Sequence, residues 1–223
     1  MVEEGADWDK KNKFKIFEGV YRMMIRDLKT AADLFVSSIA TFTCVELMDY
    51  KDFVFYAVVT SLVTMDRKRL NKDVIHSPDV LAIIRDIPHL RTYMESFYNC
   101  EYKVFFQSFA HIIDAIKKDK YLGTHVSYYT KEMRLVAYRQ YLESFKSVTI
   151  ENMARSFGVS AEFIDRELSN FIYAGKLSCK IDKVNNVIES NRPNKKGELF
   201  NNSVKQGDLL LNRIQKLARA LDI

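Results

Sequence analysis

The sequence predicts a mostly α-helical chain in three parts. Residues 1–146 read as a tetratricopeptide-like stack of helical repeats, 147–190 as a small winged helix, and 191–223 as a polar loop followed by a C-terminal assembly helix. Three observations carry this reading. Apolar residues recur every three or four positions through the first two-thirds of the chain, the period of a helix with a buried side. Only 3 prolines and 7 glycines occur in 223 residues, too few for a turn-rich all-β fold. Between Ser147 and Ser190 the order is helix, short turn, helix and two strands, which is winged-helix order.

In chain order, Trp8–Arg26 is the first expected helix, with Phe14, Phe17, Tyr21, Met24 and Ile25 as its apolar stripe. A turn at Asp27–Lys29 leads to a second, Thr30–Thr41, with Ala31, Leu34, Phe35 and Ile39 inward. Gly19, Ala31 and Phe35 stand at tetratricopeptide offsets, although Lys15 occupies the place where that repeat usually has Trp. The small residues let two helices approach, and Phe35 fills the gap between them. Repeat stacks generally need several units and polar caps, so a chain opening inside one is expected to be a piece of a longer protein.

Asp49 or Tyr50 opens a third helix, whose body Phe53–Met65 is apolar nearly all round and must be covered on both sides. Asp66–Lys72 is expected as a charged connection, with Arg67, Lys68 and Arg69 in solvent. Pro78, behind Ser77, suits the first turn of a helix to Asp86, and Pro88 starts another to Tyr98. Glu101–Lys117 carries Val104, Phe105, Phe109, Ile112, Ile113 and Ile116 as a wide stripe. After a break at Gly123, Val126–Phe145 has apolar residues on more than one side. A helix packed by the stack on one side and the winged helix on the other would look like that.

In the winged helix, Ser147–Ile150 is a short extended lead-in. Ile150, Met153, Ala154 and Phe157 mark one face of a short helix that Gly158 ends. Ser160 caps the second helix, Ala161–Ala174, whose stripe is Phe163, Ile164, Leu168, Phe171 and Ile172, and Gly175 closes it. Phe163, Leu168, Phe171 and Ile172 are expected against Met153, Ala154 and Phe157. Leu177–Ile181 and Asn186–Ser190 then read as strands joined by the turn Asp182–Asn185.

Charge separates two uses of such a unit. A DNA-reading second helix needs cations facing the phosphates. Here Glu162, Asp165 and Glu167 stand against Arg166 alone, so that helix would be repelled. The wing and the stretch after it are basic through Lys176, Lys180, Lys183, Arg192, Lys195 and Lys196, which leaves wing-first binding as an alternative. Nucleic acid is otherwise not expected as a partner.

A hydrophobic content of 48% places the chain among globular proteins, and a formal charge of +5 points to neither nucleic acid nor membrane. Cys44, Cys100 and Cys179 are scattered, the pattern of a reducing compartment. Charged and polar residues dominate the N-terminus, so no secretory signal is expected. Phe53–Met65, the longest uncharged run, is too short to span a bilayer. A soluble, intracellular chain is expected. His76, His89, His111 and His125 are isolated from one another, and no phosphate loop, dinucleotide fingerprint or nucleophile elbow occurs. No catalytic residue, cofactor, metal or small-molecule substrate is expected.

The final stretch is a polar loop, Asn191–Asn202 with Pro193 and Gly197, and a helix, Ser203–Leu221. Val204, Leu211, Ile214, Ala218 and Leu221, with Gly207 completing the series, form an a/d seam that Leu210 and Leu217 widen. A helix of this kind is expected to dock among helices of partner subunits. The hairpin is expected to end in an open strand edge at Ile188, ready to accept another chain. The candidate partner interface is therefore Ile188, Val204, Leu210, Leu211, Ile214, Leu217 and Leu221.

Thr149-Ile150, Met153-Ala154, Phe157-Gly158-Val159-Ser160, Phe163-Ile164, Glu167-Leu168, Phe171-Ile172 and Gly175–Asp182 resemble the PCI module. That module is shared by the proteasome lid, the signalosome and a translation initiation complex. Ile25–Lys29, Ala31–Phe35, Glu46–Lys51, Val104–Ser108, Lys180–Asn185, Ser190–Pro193 and Gly207–Leu217 extend the resemblance over nearly the whole chain. They are similar to the lid-subunit family called regulatory particle non-ATPase subunit seven. The resemblance implies a non-catalytic scaffold of cytoplasm and nucleus. Its implied partners are other PCI subunits of the lid, with the deubiquitinating subunit and the ATPase base nearby. The family's N-terminal repeats have no counterpart in these residues. A PCI scaffold subunit of the signalosome, or a nucleic-acid-binding winged-helix protein of a translation complex, is the alternative.

Overall fold

A computed structural model of the chain describes residues 8–190 and 195–221. The first pair of helices is α1 (Trp8–Met24) and α2 (Leu28–Ser38). Their contact turns on Gly19, where an added Cβ would lie 2.6 Å from Cε1 of Phe35. Phe35, Ala31 and Ala32 are fully buried, so the missing side chain is what admits the ring. Asp27 caps α2, accepting from the Thr30 N–H at 3.3 Å and the Thr30 hydroxyl at 2.7 Å.

The face α1 buries is not the expected one. Ile16, Gly19, Val20 and Met23 are inside, whereas Phe14, Phe17, Tyr21, Met24 and Ile25 are 47–60% exposed. The helix is apolar on two sides, and only the side notched by Gly19 accommodates Phe35.

After a 3₁₀ turn at Ile39–Thr41 comes α3 (Tyr50–Thr64), buried at every residue from Phe53 to Leu62. Phe53 meets Phe35 edge-on at 5.5 Å, and Tyr56 stacks on it at 6.5 Å. The expected charged connection after α3 is helical instead: α4 (Arg67–Leu70) runs into a π-helical turn, Asn71–Ile75. Burial of Leu70, Val74 and Ile75 pulls it onto the core, and Arg69 pairs with Asp33 at 2.9 Å. Next come α5 (Pro78–Ile83), a 3₁₀ turn to Asp86, and α6 (Leu90–Tyr98). Helix α6 begins beyond Pro88 because His89 is left-handed, with φ 65°.

Helix α7 (Tyr102–Lys118) buries Phe105, Phe109, Ile112 and Ile116 and leaves Val104 at the surface. Helix α8 (Val126–Ser144) lies between the stack and the winged helix. On one side its Tyr129 hydroxyl bonds that of Tyr93 at 2.8 Å. On the other, Tyr138 and Tyr141 meet Phe157 at 5.1 and 5.3 Å.

The winged helix is β1 (Ser147–Thr149), α9 (Ile150–Phe157), α10 (Ala161–Tyr173), β2 (Cys179–Asp182) and β3 (Val187–Ser190). Thr149 and Ser160 cap the two helices, and Gly158 and Gly175 end them at φ 69° and 68°. Ile150, Met153, Ala154 and Phe157 are buried against Ile164, Leu168 and Phe171, as the spacing predicts. Phe163 departs from the expected stripe: it is 37% exposed, with the Arg134 guanidinium 5.8 Å over its ring. Ile172 is only partly buried.

The sheet order is β1-β3-β2, antiparallel throughout, with Val148 and Ile181 both opposite Ile188. Ile188 therefore sits on the central strand, fully buried, and not on an open edge. The lead-in, expected only as extended chain, is the third strand, and it closes that side of β3. The last element, α11 (Lys195–Leu221), is a 27-residue helix. It takes in residues 195–202 of the expected loop; Pro193 lies outside the described residues.

Candidate partner interface

The surface that stands out is α11. Leu199, Phe200, Val204, Leu209, Leu210, Leu211, Ile214 and Leu217 are 45–69% exposed. Every described side chain of the helix is at the surface except at Gly197 and Gly207, which are intermediate. Apart from Leu209, these residues fall within one broad arc of the helix, wider than a two-stranded seam. Of the sequence-predicted interface, Val204, Leu210, Leu211, Ile214 and Leu217 thus share one exposed stripe. The Leu221 side chain lies outside the described residues, and Ile188 is in the sheet core.

The winged helix offers two strand edges, the outer sides of β1 and β2, since β3 is paired on both sides. The turn between β2 and β3 is tied down: the Asp182 carboxylate accepts from the N–H groups of Val184 and Asn185 and from the Asn185 side chain. These bonds hold its carboxyl below the ordinary value. Val184 at the tip is 89% exposed, and Tyr173 at the end of α10 is 95% exposed.

A polar clamp sets how this unit is carried. Glu167 of α10 pairs with Arg134 of α8 at 3.1 Å and accepts from the Tyr138 hydroxyl at 2.9 Å. Burial, then the Glu167 charge, pushes the Tyr138 hydroxyl far above its ordinary value, so it stays a donor. Lys176 pairs with Glu132 of α8, and Lys183 of the wing pairs with Asp165 of α10. Two of the wing's cations are thereby spent inside the chain, which weakens the nucleic-acid alternative.

The sequence treats the four histidines as isolated, yet the fold stacks His89 on His111 at 4.3 Å and sets Arg26 to donate to His125 at 3.3 Å. Among the described residues, no three His, Cys, Asp or Glu side chains gather as metal ligands. No described helix is long and apolar enough to cross a membrane.

Comparison with known proteins bears on the same surfaces. Residues 1–73 match the family model for 26S proteasome subunit RPN7, and residues 110–192 match the PCI domain. Residues 201–220, within α11, match the model for the 26S proteasome regulatory subunit RPN7/PSMD6 C-terminal helix. The chain belongs to the RPN7 family. An Arabidopsis thaliana protein named 26S proteasome non-ATPase regulatory subunit 6 homolog is 52% identical over 223 residues, covering 100% of this chain and 58% of that protein. The Dictyostelium discoideum 26S proteasome non-ATPase regulatory subunit 6 is 51% identical over the same length. The Saccharomyces cerevisiae 26S proteasome regulatory subunit RPN7 is 38% identical over 228 residues, covering 99% of this chain and 52% of the yeast protein. This RPN7-family chain thus spans between half and three-fifths of the length of these relatives. Its exposed helix is an element that the family has a model of its own for.

Proposed function

We propose that this chain serves as a non-catalytic assembly segment of the proteasome regulatory particle lid, in cytoplasm and nucleus, within ubiquitin-dependent protein degradation. The observation that carries the reading is α11. Most of a helix's stability in a protein comes from packing its apolar face, which α11 leaves exposed, and Gly207 weakens it by about 1 kcal/mol. Burying Leu210, Leu211, Ile214 and Leu217 returns on the order of 1.5–3 kcal/mol each before the ordering cost is subtracted. Packing against partner helices therefore stabilises both the helix and the assembly. The neighbours in this reading are other PCI subunits, engaging the winged helix along its β1 or β2 edge, with the deubiquitinating subunit and the ATPase base nearby. The exposed apolar side of α1 supports a place for that helix inside a longer stack.

The test is incorporation. Leu211→Glu with Ile214→Glu, placed in the full-length protein, is expected to leave the helical circular-dichroism signal intact and to block entry into the assembled lid on a native gel. Normal incorporation of the double variant would overturn the role given to α11.

A further inference from the structure

Two contacts of different kinds hold the winged helix on the stack. On the α9 side the buried Phe157 ring sits among Tyr102 and Phe106 of α7 and Tyr138 and Tyr141 of α8, at 4.7–5.3 Å between centroids. The α10 side adds polar ties along two turns of α8. Glu132 pairs with Lys176, Arg134 and Tyr138 together hold Glu167, and Arg139 Nη2 donates to the Lys176 carbonyl at 3.1 Å.

The Glu167 clamp is poorly placed to add stability. The Arg134 and Glu167 side chains are only 21% and 15% exposed, so both charges have given up most of their water. Arg134 Nε is buried with no acceptor among the described residues, a further cost. Apolar side chains of similar volume often serve as well or better in such a place. What the polar set adds is direction. Glu167 must reach the Arg134 guanidinium at 3.1 Å and the Tyr138 hydroxyl at 2.9 Å at once, and hydrogen bonds weaken steeply as their geometry departs from linear. Turning α10 about the Phe157 anchor would break both bonds while that ring keeps its neighbours.

We propose that Arg134, Tyr138 and Glu167 are positioning residues that fix the angle of the winged helix on the helical stack. The inference rests on the assembly reading given above. The free edges of β1 and β2 and the point where the chain leaves β3 toward α11 all turn with the winged helix. One fixed angle therefore presents these surfaces to neighbouring subunits in a single geometry, and a loose angle spreads them over many.

The test measures the angle and the assembly separately. Cys100, exposed in the stack, takes one spin label, whereas Cys44 and Cys179 are buried. Val184→Cys adds a second at the wing tip, which the Asp182 bonds and the Lys183–Asp165 pair tie to β2 and α10. Double electron–electron resonance on this chain is expected to give one narrow distance distribution. With Arg134→Met, Tyr138→Phe and Glu167→Leu combined, the distribution is expected to broaden or shift, while the urea midpoint stays at or above the parent's. Glu167→Gln, which keeps the shape and removes the charge, is expected to broaden it less. Placed in the full-length protein, the triple variant is expected to enter the lid several-fold less on a native gel. Leu211→Glu with Ile214→Glu should leave the distance at its parent value, so failure of the assembly reading shows in that variant's gel and failure of the positioning role in the clamp variant's distance. An unchanged distribution in the triple variant would overturn the proposal. So would a triple variant less stable than the parent, which would make the clamp a structural support, or one that enters the lid normally with its distribution broadened.

Discussion

Replacing Gly19 by Ala sets two known effects against each other. Alanine in place of glycine in a helix interior stabilises by about 1 kcal/mol. Against it stands the contact with Phe35: the new methyl would sit 2.6 Å from Cε1 and 3.0 Å from Cδ1. That ring has nowhere to go, because it is fully buried with Phe53 edge-on to it and Tyr56 stacked on it. Overpacking of this kind costs about 1–3 kcal/mol. The sum is a net loss of up to about 2 kcal/mol, read as a lower urea midpoint at unchanged m-value. The control is Gly207→Ala in α11, where nothing lies within 4 Å of the added Cβ; there only the helix gain of about 1 kcal/mol remains. Combining Gly19→Ala with Phe35→Leu should recover part of the loss, a coupling of about 0.5–3 kcal/mol. A Gly19→Ala chain more stable than the parent would refute the account of the α1–α2 contact.

Two further outcomes rest on single side chains. Leu168 of α10 is fully buried, so Leu168→Ala is expected to cost about 2–5 kcal/mol in equilibrium unfolding, and parent-like stability would mean the winged-helix core lies elsewhere. The Thr30 hydroxyl and N–H hold the Asp27 carboxyl below its ordinary value, so its cap is complete above about pH 4 and is lost as pH falls through the lower folded value. Asp27→Ala should therefore lose about 0.5–1 kcal/mol at neutral pH, with the difference shrinking toward strong acid; a gap that stays constant down to about pH 2 would contradict the capping role.

What sequence makes legible here is local. The α9 stripe, the two glycine-ended helices, the all-round apolar α3 and the Gly19–Phe35 notch can all be read from spacing, because each depends on neighbours within one or two turns or on an absent side chain. Three features escape that reading. Helix α1 is apolar on two sides, and periodicity does not say which one a neighbour covers; the choice rests on where Phe35 arrives from α2. Strand β1 has three residues, too few to show a period, and its pairing of Ser147 with Glu189 spans the whole winged helix. Without that pairing a central strand reads as an edge, and Ile188 falls in the wrong environment. Residues 195–202 are helical although Gly197 and a polar composition read as loop.

The candidate interface divides in the same way. Val204, Leu210, Leu211, Ile214 and Leu217 form a stripe on a single helix, so their register alone brings them together. Ile188 does not join them, because its place is set by its pairing with Val148, 40 residues earlier in the chain.

The central position of β3 has a mechanical consequence. Only residues 191–194 separate the end of β3 from the start of α11. Any tension applied to that helix enters the described part of the winged helix at Ser190. An edge strand would hand the load to one ladder and peel from it bond by bond. Here β1 and β2 grip β3 from either side, and Ser190 adds bonds of its own, its hydroxyl to the Phe145 carbonyl at 2.6 Å and its N–H to that of Lys146 at 3.0 Å. The pull is shared by two ladders at once and passes at Phe145 to the end of α8, so a load on the exposed helix is carried into the helical stack rather than by the hairpin alone.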